Sequence, residues 1–233
     1  MSRGSLRIVA MVLVVLAAVM VWRTRNEMAA SGAGGSGTAA LPAPVVDEVK
    51  ATGHTKETAV VAGGCFWGVQ AVFQHVKGVI SATSGYSGGS LKDPDYRTVS
   101  MGTTGHAESV QIVYDPSQVT YGELLRVFFS VAHDPTELNR QGPDEGTQYR
   151  SAIFYGNDQQ KKIAEAYITQ LEQAGVYRHK IVTQVVGLQA FYPAEGYHQN
   201  YATIHPNDPY IMFNDAPKVA NLKKEFPELW SGK

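Results

Sequence analysis

The chain has 233 residues, with 20 Lys plus Arg, 21 Asp plus Glu, a formal net charge of −1 and a single cysteine. That length suits one domain of ordinary size with an N-terminal appendage. Four of the basic residues and none of the acidic ones fall in the first 26 positions, so the remainder is mildly acidic and lacks the cationic face that nucleic-acid binding needs. One cysteine also excludes an intramolecular disulfide and a cysteine-rich zinc site.

Residues 8–22 form 15 uninterrupted apolar residues, with Arg3 and Arg7 before them and Arg23 and Arg25 after them. As a helix this run reaches only about 22 Å, short of the ~30 Å hydrocarbon core. It is therefore the core of a signal peptide or a short membrane anchor, and the lack of a small-x-small site close behind it favours an uncleaved anchor. The expectation is a membrane-anchored or exported protein, the extracytoplasmic side favoured, with residues 1–25 as signal or anchor. Residues 26–56, rich in Ala, Gly, Ser, Thr and Pro, read as a flexible linker to a catalytic domain over 57–233.

Residues 58–62 predict a short buried strand. Downstream, Phe66, Val69, Val72, Phe73 and Val76 recur at helical spacing, so Cys65 stands where strand hands over to helix. A thiol there faces unpaired backbone N–H groups and the positive end of the helix dipole, which predicts a lowered thiol pKa. Gly63 and Gly64 permit a tight turn and would leave room for a substrate at the sulfur.

Residues 79–86 alternate as a strand and 87–105 read as a long loop. Val110, Ile112 and Tyr114 share one face of a strand over 108–114, and Asp115-Pro116 ends it. Thr120 with Glu123 forms a capping box for a helix over 120–131. A loop over 134–149, a strand over 150–155, a helix over 158–174 stopped by Gly175, and a last strand near 181–186 follow. This order predicts an α+β sandwich, helices on one face of a mixed sheet.

The string Gly63-Gly64-Cys65-Phe66-Trp67-Gly68 is followed in order by Gly85-Tyr86-Ser87-Gly88-Gly89, Pro94-Asp95-Tyr96-Arg97, Gly105-His106-Ala107-Glu108, Tyr114-Asp115-Pro116, His133-Asp134-Pro135, Gly146-Thr147-Gln148-Tyr149-Arg150-Ser151 and Tyr197-His198-Gln199. Together these blocks resemble the peptide methionine sulfoxide reductase A family. The resemblance implies a ferredoxin-like α/β sandwich and reduction of the S-epimer of methionine sulfoxide, in proteins or free, with no metal and no cofactor. It assigns Cys65 as nucleophile and Glu108 as acid. Phe66 and Trp67 would form an apolar wall for the S-methyl group, Tyr96 and Tyr149 would bond the sulfoxide oxygen, and Asp144 and His198 match positions around the same site. A glutamate of ordinary pKa ~4.3 must be raised by burial to donate a proton at neutral pH.

Many members carry a second cysteine, either directly after the Phe-Trp pair or near the C-terminus. This chain has Gly68 at the first place and no cysteine at the second, so an external thiol such as thioredoxin, glutaredoxin or glutathione would have to regenerate it. His106-Ala107-Glu108 also opens a zinc deaminase signature, which fails because no cysteine follows residue 65. A Cys-His hydrolase using His106 or His198, and a noncatalytic membrane-tethered binding module, are the rival classes. His75, His133, His179 and His205 are assigned to surface or capping roles.

Overall fold

The computed structural model describes residues 41–232, so the apolar run and the first part of the expected linker lie outside the described residues. Strand β1 (Glu57–Gly63) leads through Gly64 and Cys65 into α1 (Phe66–Gln74), followed by β2 (Val79–Ser87), the short α2 (Tyr96–Ser100) and β3 (Ala107–Tyr114). Helix α3 (Tyr121–Val127), a two-residue hairpin β4 (Arg140–Gln141) and β5 (Asp144–Glu145), β6 (Ser151–Tyr155), α4 (Asp158–Ala174) and β7 (Gln184–Gly187) come next. The chain ends with β8 (Phe191–Pro193), α5 (Tyr201–Ile204) and α6 (Ala216–Glu225).

The main sheet has the order β7-β6-β1-β3-β2-β8, antiparallel throughout except for the parallel β6/β7 pair. Its centre, β6-β1-β3-β2, is the split βαβ arrangement of ferredoxin-like folds, here extended by one strand at each edge. Strand alternation sorts the two faces. Ala59 and Val61 point into the large core shared with α1, α3, α4 and α6, whereas Val60 and Ala62 join Ala107, Ala152 and Phe154 on the far face under Leu188 and Phe191. On β3, Val110, Ile112 and Tyr114 face the helices. Glu108, two residues earlier on the same strand, shares that face and so carries a carboxyl into the helix-covered side of the sheet.

The helices close this core with the residues their spacing selects. Buried positions are Phe66, Val69, Val72 and Phe73 on α1, Leu124 and Leu125 on α3, and Ile163, Ala164, Tyr167 and Leu171 on α4. The Thr120/Glu123 capping box forms as expected, and Gly175 ends α4 at φ +61°. Helix α3 is shorter than expected because its ladder widens into a π-helical turn over Phe128–Ala132, which buries Phe128 and Phe129.

Four stretches differ from expectation. The loop over 87–105 contains α2, whose start is fixed by a capping box between Asp95 and Thr98. The loop over 134–149 contains the β4/β5 hairpin and a 3-10 turn, Thr147–Tyr149. The last expected strand begins later, at Gln184, because the Val182 N–H is donated to the Pro135 carbonyl (2.8 Å) rather than to the sheet. Finally, residues 41–56 are bound to the body where a free linker was expected. The Arg126 guanidinium donates to the Leu41 carbonyl (2.5 Å), the Tyr167 hydroxyl to the Pro42 carbonyl (2.9 Å), and the Asp47 and Glu48 carboxylates accept from the Gly122 and Tyr121 N–H groups at the start of α3. Those N–H groups have no intrahelical partner, and two acids upstream of them supply one.

Candidate active site

Cys65 is the N-cap residue of α1 and is 8% exposed. The turn that delivers it needs Gly64 at φ +89°, a conformation in which a side chain is strained. The two glycines do not leave space for a substrate. A Cβ at Gly63 would lie 2.9 Å from the His133 and Phe128 rings, and one at Gly64 would lie 2.5 Å from the Gln141 side chain, so protein atoms already fill that volume. His133 itself is buried rather than superficial, stacked on Phe128 and held between the Phe128 carbonyl (3.1 Å) and the Ser151 hydroxyl (2.7 Å). Burial pushes its pKa down to about 4, so it is a neutral part of the floor beneath the Gly63-Gly64 turn.

Glu108 is 2% exposed, and its Oε2 accepts the Phe66 N–H at 3.0 Å. That N–H is one of the unpaired donors expected to serve the sulfur; the carboxyl from β3 takes it instead. Burial pushes the Glu108 pKa up to about 8, with Asp144 and Asp215 adding to the rise and the Phe66 N–H opposing it. Burial and these acidic neighbours favour the protonated carboxylic acid at neutral pH.

The thiol departs from expectation. Burial pushes the Cys65 pKa well above its ordinary value, and negative charge on Glu108 and Asp215 pushes the same way; the Trp67 N–H and Lys218 oppose this and do not prevail. The helix N-terminus is present, yet desolvation of a nearly enclosed sulfur outweighs it.

Around this pair the chain assembles the other expected residues. Tyr96 opens α2, its N–H donated to Glu195 Oε1 (2.8 Å), while Glu195 Oε2 accepts the buried Tyr86 hydroxyl (2.9 Å). Tyr149 ends the 3-10 turn. Burial raises the pKa of both phenols, and each also feels negative charge at Glu108, Cys65 and Asp144. Both therefore stay protonated at neutral pH. Asp144, on β5, accepts a hydrogen bond from the Tyr210 hydroxyl. His198 is buried, its Nδ1 accepting the Trp67 Nε1–H at 3.2 Å and its ring 5.1 Å from Phe66 and 4.4 Å from Tyr96. Phe66 is fully buried beneath this cluster, whereas Trp67 keeps an exposed part.

The rival hydrolase reading loses its base here. His106 is held between the Gly89 N–H (3.2 Å) and the Leu91 carbonyl (2.8 Å), and His198 faces Trp67; among the described residues no histidine hydrogen-bonds the Cys65 sulfur. His75 and His205 follow the ends of α1 and α5, and His179 is exposed, as assigned.

Several residues at the site were not anticipated. Tyr201 stacks on Trp67 at 3.8 Å with an interplanar angle of 11°, Tyr210 meets Trp67 edge-on, and Asp215 with Lys218 forms an ion pair at 3.1 Å. Only the last left a mark in the sequence. Asp215 before Ala216-Pro217 spells a helix start, with the acid at the N-cap and proline in the first turn.

A thiol enclosed with a protonated carboxylic acid and two phenolic donors is the equipment of a thiol-dependent oxidoreductase. Residues 57–229 match the sequence profile of the family described as Peptide methionine sulfoxide reductase. The chain is 62% identical over 188 residues to "Peptide methionine sulfoxide reductase MsrA 2" of Mesorhizobium japonicum, covering 81% of this chain and 95% of that one. It is 50% identical over 190 residues to the protein of the same description from Synechocystis, covering 81% and 89%. Among solved structures, methionine sulfoxide reductase A of Corynebacterium diphtheriae is similar with a TM-score of 0.57 and 37% identity, covering 75% of this chain and 87% of that one. Mxr1 from Saccharomyces cerevisiae in reduced form is similar with a TM-score of 0.59 and 32% identity, covering 70% and 92%. The chain belongs to the peptide methionine sulfoxide reductase family. It has peptide-methionine (S)-S-oxide reductase activity and returns oxidised methionine to methionine, a protein-repair reaction.

Proposed function

We propose that Cys65 attacks the sulfoxide sulfur as the thiolate while Glu108 delivers its proton to the departing oxygen. The observation that carries this reading is the Glu108 carboxyl, enclosed beside the thiol and pushed up to about 8, so that it holds a proton at neutral pH where an ordinary glutamate would not. The Phe66 N–H occupies Oε2, which leaves Oε1 to carry the acid proton. Tyr96 and Tyr149 donate hydrogen bonds to the sulfoxide oxygen as negative charge grows there. The S-methyl group packs against the exposed part of Trp67, a contact worth ~0.8 kcal/mol per buried methyl.

The balance is simple. The Cys65 thiolate, whose proton has gone to solvent, attacks the sulfoxide sulfur, and the oxygen, protonated by Glu108, passes to the enzyme sulfur as its bond to the substrate breaks, giving methionine and a Cys65 sulfenic acid; solvent then reprotonates Glu108. A first external thiol condenses with the sulfenic acid, releasing water and leaving a mixed disulfide; a second displaces it and restores Cys65. Because the chain has no second cysteine, both thiols come from a partner, of the thioredoxin or glutaredoxin/glutathione kind. The apolar run over residues 8–22 is proposed to attach the enzyme to a membrane.

Mass spectrometry after one equivalent of sulfoxide, with no reductant, tests the mechanism. The enzyme should release one methionine, gain about 16 Da at Cys65 and stop. Release of methionine from an enzyme whose Cys65 remains unmodified would refute oxygen transfer.

A further inference from the structure

Asp215 closes the π-helical turn Ile211–Asp215 and caps α6, and it is 0% exposed. Its Oδ1 accepts from Lys218 Nζ at 3.1 Å, while its Oδ2 is buried with no hydrogen-bond partner among the described residues. The pair lies against the first turn of α1. A Cβ at Gly68 would sit 2.0 Å from Asp215 Oδ1 and 2.9 Å from Lys218 Nζ, so the missing side chain at position 68 is what lets the pair approach the helix backbone. Gly68 is the third residue after the N-cap Cys65, so the pair packs on the same first turn of α1 that the cysteine opens.

Such a pair is poorly explained as packing. The Asp215 carboxylate is withdrawn from water with one oxygen unpartnered, while the Lys218 side chain keeps 18% of its surface exposed, and apolar residues of similar volume commonly hold a core as well or better. The charges around the site suggest a different purpose. Glu108 from β3, Asp144 from β5 and Asp215 are carboxyls, and Tyr96, Tyr149 and Tyr210 are phenols held protonated. Of the side chains whose charge bears on the Cys65 sulfur, Asp215, and Glu108 once ionised, oppose the thiolate, and Lys218 favours it with a smaller effect than Asp215. A thiolate formed in so acidic an enclosure needs a cation.

We propose that Lys218 is the counter-cation of the Cys65 thiolate and that Asp215 is a positioning residue that fixes the ammonium against the first turn of α1 and moderates it. This rests on the reading that the thiolate is the nucleophile. Asp215 holds the long lysine side chain in one place, and Gly68 provides the room. Neither residue needs to touch the substrate.

Cys65 is the sole cysteine, so the pH dependence of its alkylation by iodoacetamide reads its ionisation with no sulfoxide or reductant present. An outcome here is therefore independent of whether Glu108 is the acid. Lys218→Met should move the alkylation midpoint upward by about one pH unit, slowing the reaction about tenfold below the midpoint. Asp215→Asn should move it downward, and Lys218→Arg should restore it to near that of the wild type. A role confined to packing predicts otherwise: loosening the site by either substitution would expose the sulfur and draw both midpoints toward the ~8.5 of a free thiol. Midpoints that move together, or that do not move, would overturn the proposal. If circular dichroism shows Lys218→Met unfolded, Lys218→Gln takes its place; failure of both to fold while Lys218→Arg folds only without restoring the midpoint also overturns it.

Discussion

Two regions build the site by opposite means. The first, β1 through β3 with α1, is regular structure, and it carries Cys65 and Glu108 on elements locked into a six-stranded sheet. The second is the C-terminal stretch from β8 onward, with the β4/β5 hairpin, and it carries Asp144, His198, Tyr201, Tyr210 and the Asp215–Lys218 pair on the hairpin, short turns and the starts of α5 and α6. Bond making and proton transfer tolerate little misplacement, so the thiol and the acid sit where the backbone is over-determined. The wall around them is held by side chains reaching for backbone. Gln199 accepts the Ser84 N–H and donates to the Ser84 and Ala194 carbonyls, and Gln70 reaches Gln199 and the Asn200 N–H.

The largest loss is expected from the regular half. Glu108→Gln keeps the shape and can still accept the Phe66 N–H but cannot deliver a proton, so kcat/KM should fall by the ~10²- to 10⁴-fold typical of general-acid loss. Because the thiol titrates above the acid, wild-type activity should rise with pH up to about 8, where the gain in thiolate is matched by ionisation of Glu108, and then level off. Stability runs the other way. Below pH 4.5 the glutamate is protonated folded and unfolded alike; from there to about 8 only the unfolded chain releases its proton, so folding weakens as pH rises. Glu108→Gln removes that penalty and should be the more stable protein at pH 8, by at most on the order of 5 kcal/mol, and no more stable at pH 4. An inactive variant with the wild-type dependence of melting temperature on pH would contradict the assignment.

A smaller effect is expected at the seam between the regions. Gly68→Ala gains up to about 1 kcal/mol of helix propensity, yet its Cβ would overlap the Asp215 carboxylate, and overpacking of this kind costs about 1 to 3 kcal/mol. The net expectation is a lower melting temperature and a loss of kcat/KM of roughly tenfold as α1 and α6 are forced apart. Gly53→Ala, where a new Cβ meets nothing within 4 Å, serves as the neutral control. A Gly68→Ala protein as stable and active as that control would mean the ion pair is not wedged against α1.

The same division explains what the sequence could tell. β1, α1, β2, β3, α3 and α4 were legible because their apolar residues repeat at 2.0 or 3.6 residues, whereas Glu108 came from the resemblance of its Gly-His-Ala-Glu block, since its place at a strand start alone reads as a solvated end. The C-terminal stretch has no such repeat. Its shape comes from contacts such as those of Gln199 with Ser84, 115 residues away, and from Asn200 in a left-handed conformation at φ +59°. His198 was placed only because its neighbours resembled a known block. Tyr210, Asp215 and Lys218 had no comparable block to recover them. The Cys65 pKa was misjudged for a related reason: the helix N-terminus is local and visible in sequence, whereas the burial and the carboxyls that outweigh it arrive from β3 and α6.

The smallest effect should come from the loop-borne wall. The Tyr210 hydroxyl donates to Asp144 and its ring meets Trp67 edge-on at 5.9 Å, so Tyr210→Phe keeps the aromatic contact and removes one hydrogen bond to a carboxylate. A hydrogen bond to a charged group contributes about 1.5 to 3 kcal/mol, but Asp144 is only partly buried, and water can replace much of what is lost. The expected result is a three- to tenfold fall in kcat/KM, carried mainly by KM, because the wall that receives the substrate loosens while Cys65 and Glu108 stay where the sheet holds them. Steady-state kinetics on Tyr210→Phe and Glu108→Gln side by side make the comparison direct. A kcat loss in Tyr210→Phe as large as that of Glu108→Gln would show that the loop region takes part in the chemistry itself, and the separation of a rigid reacting pair from an adaptable wall would have to be abandoned.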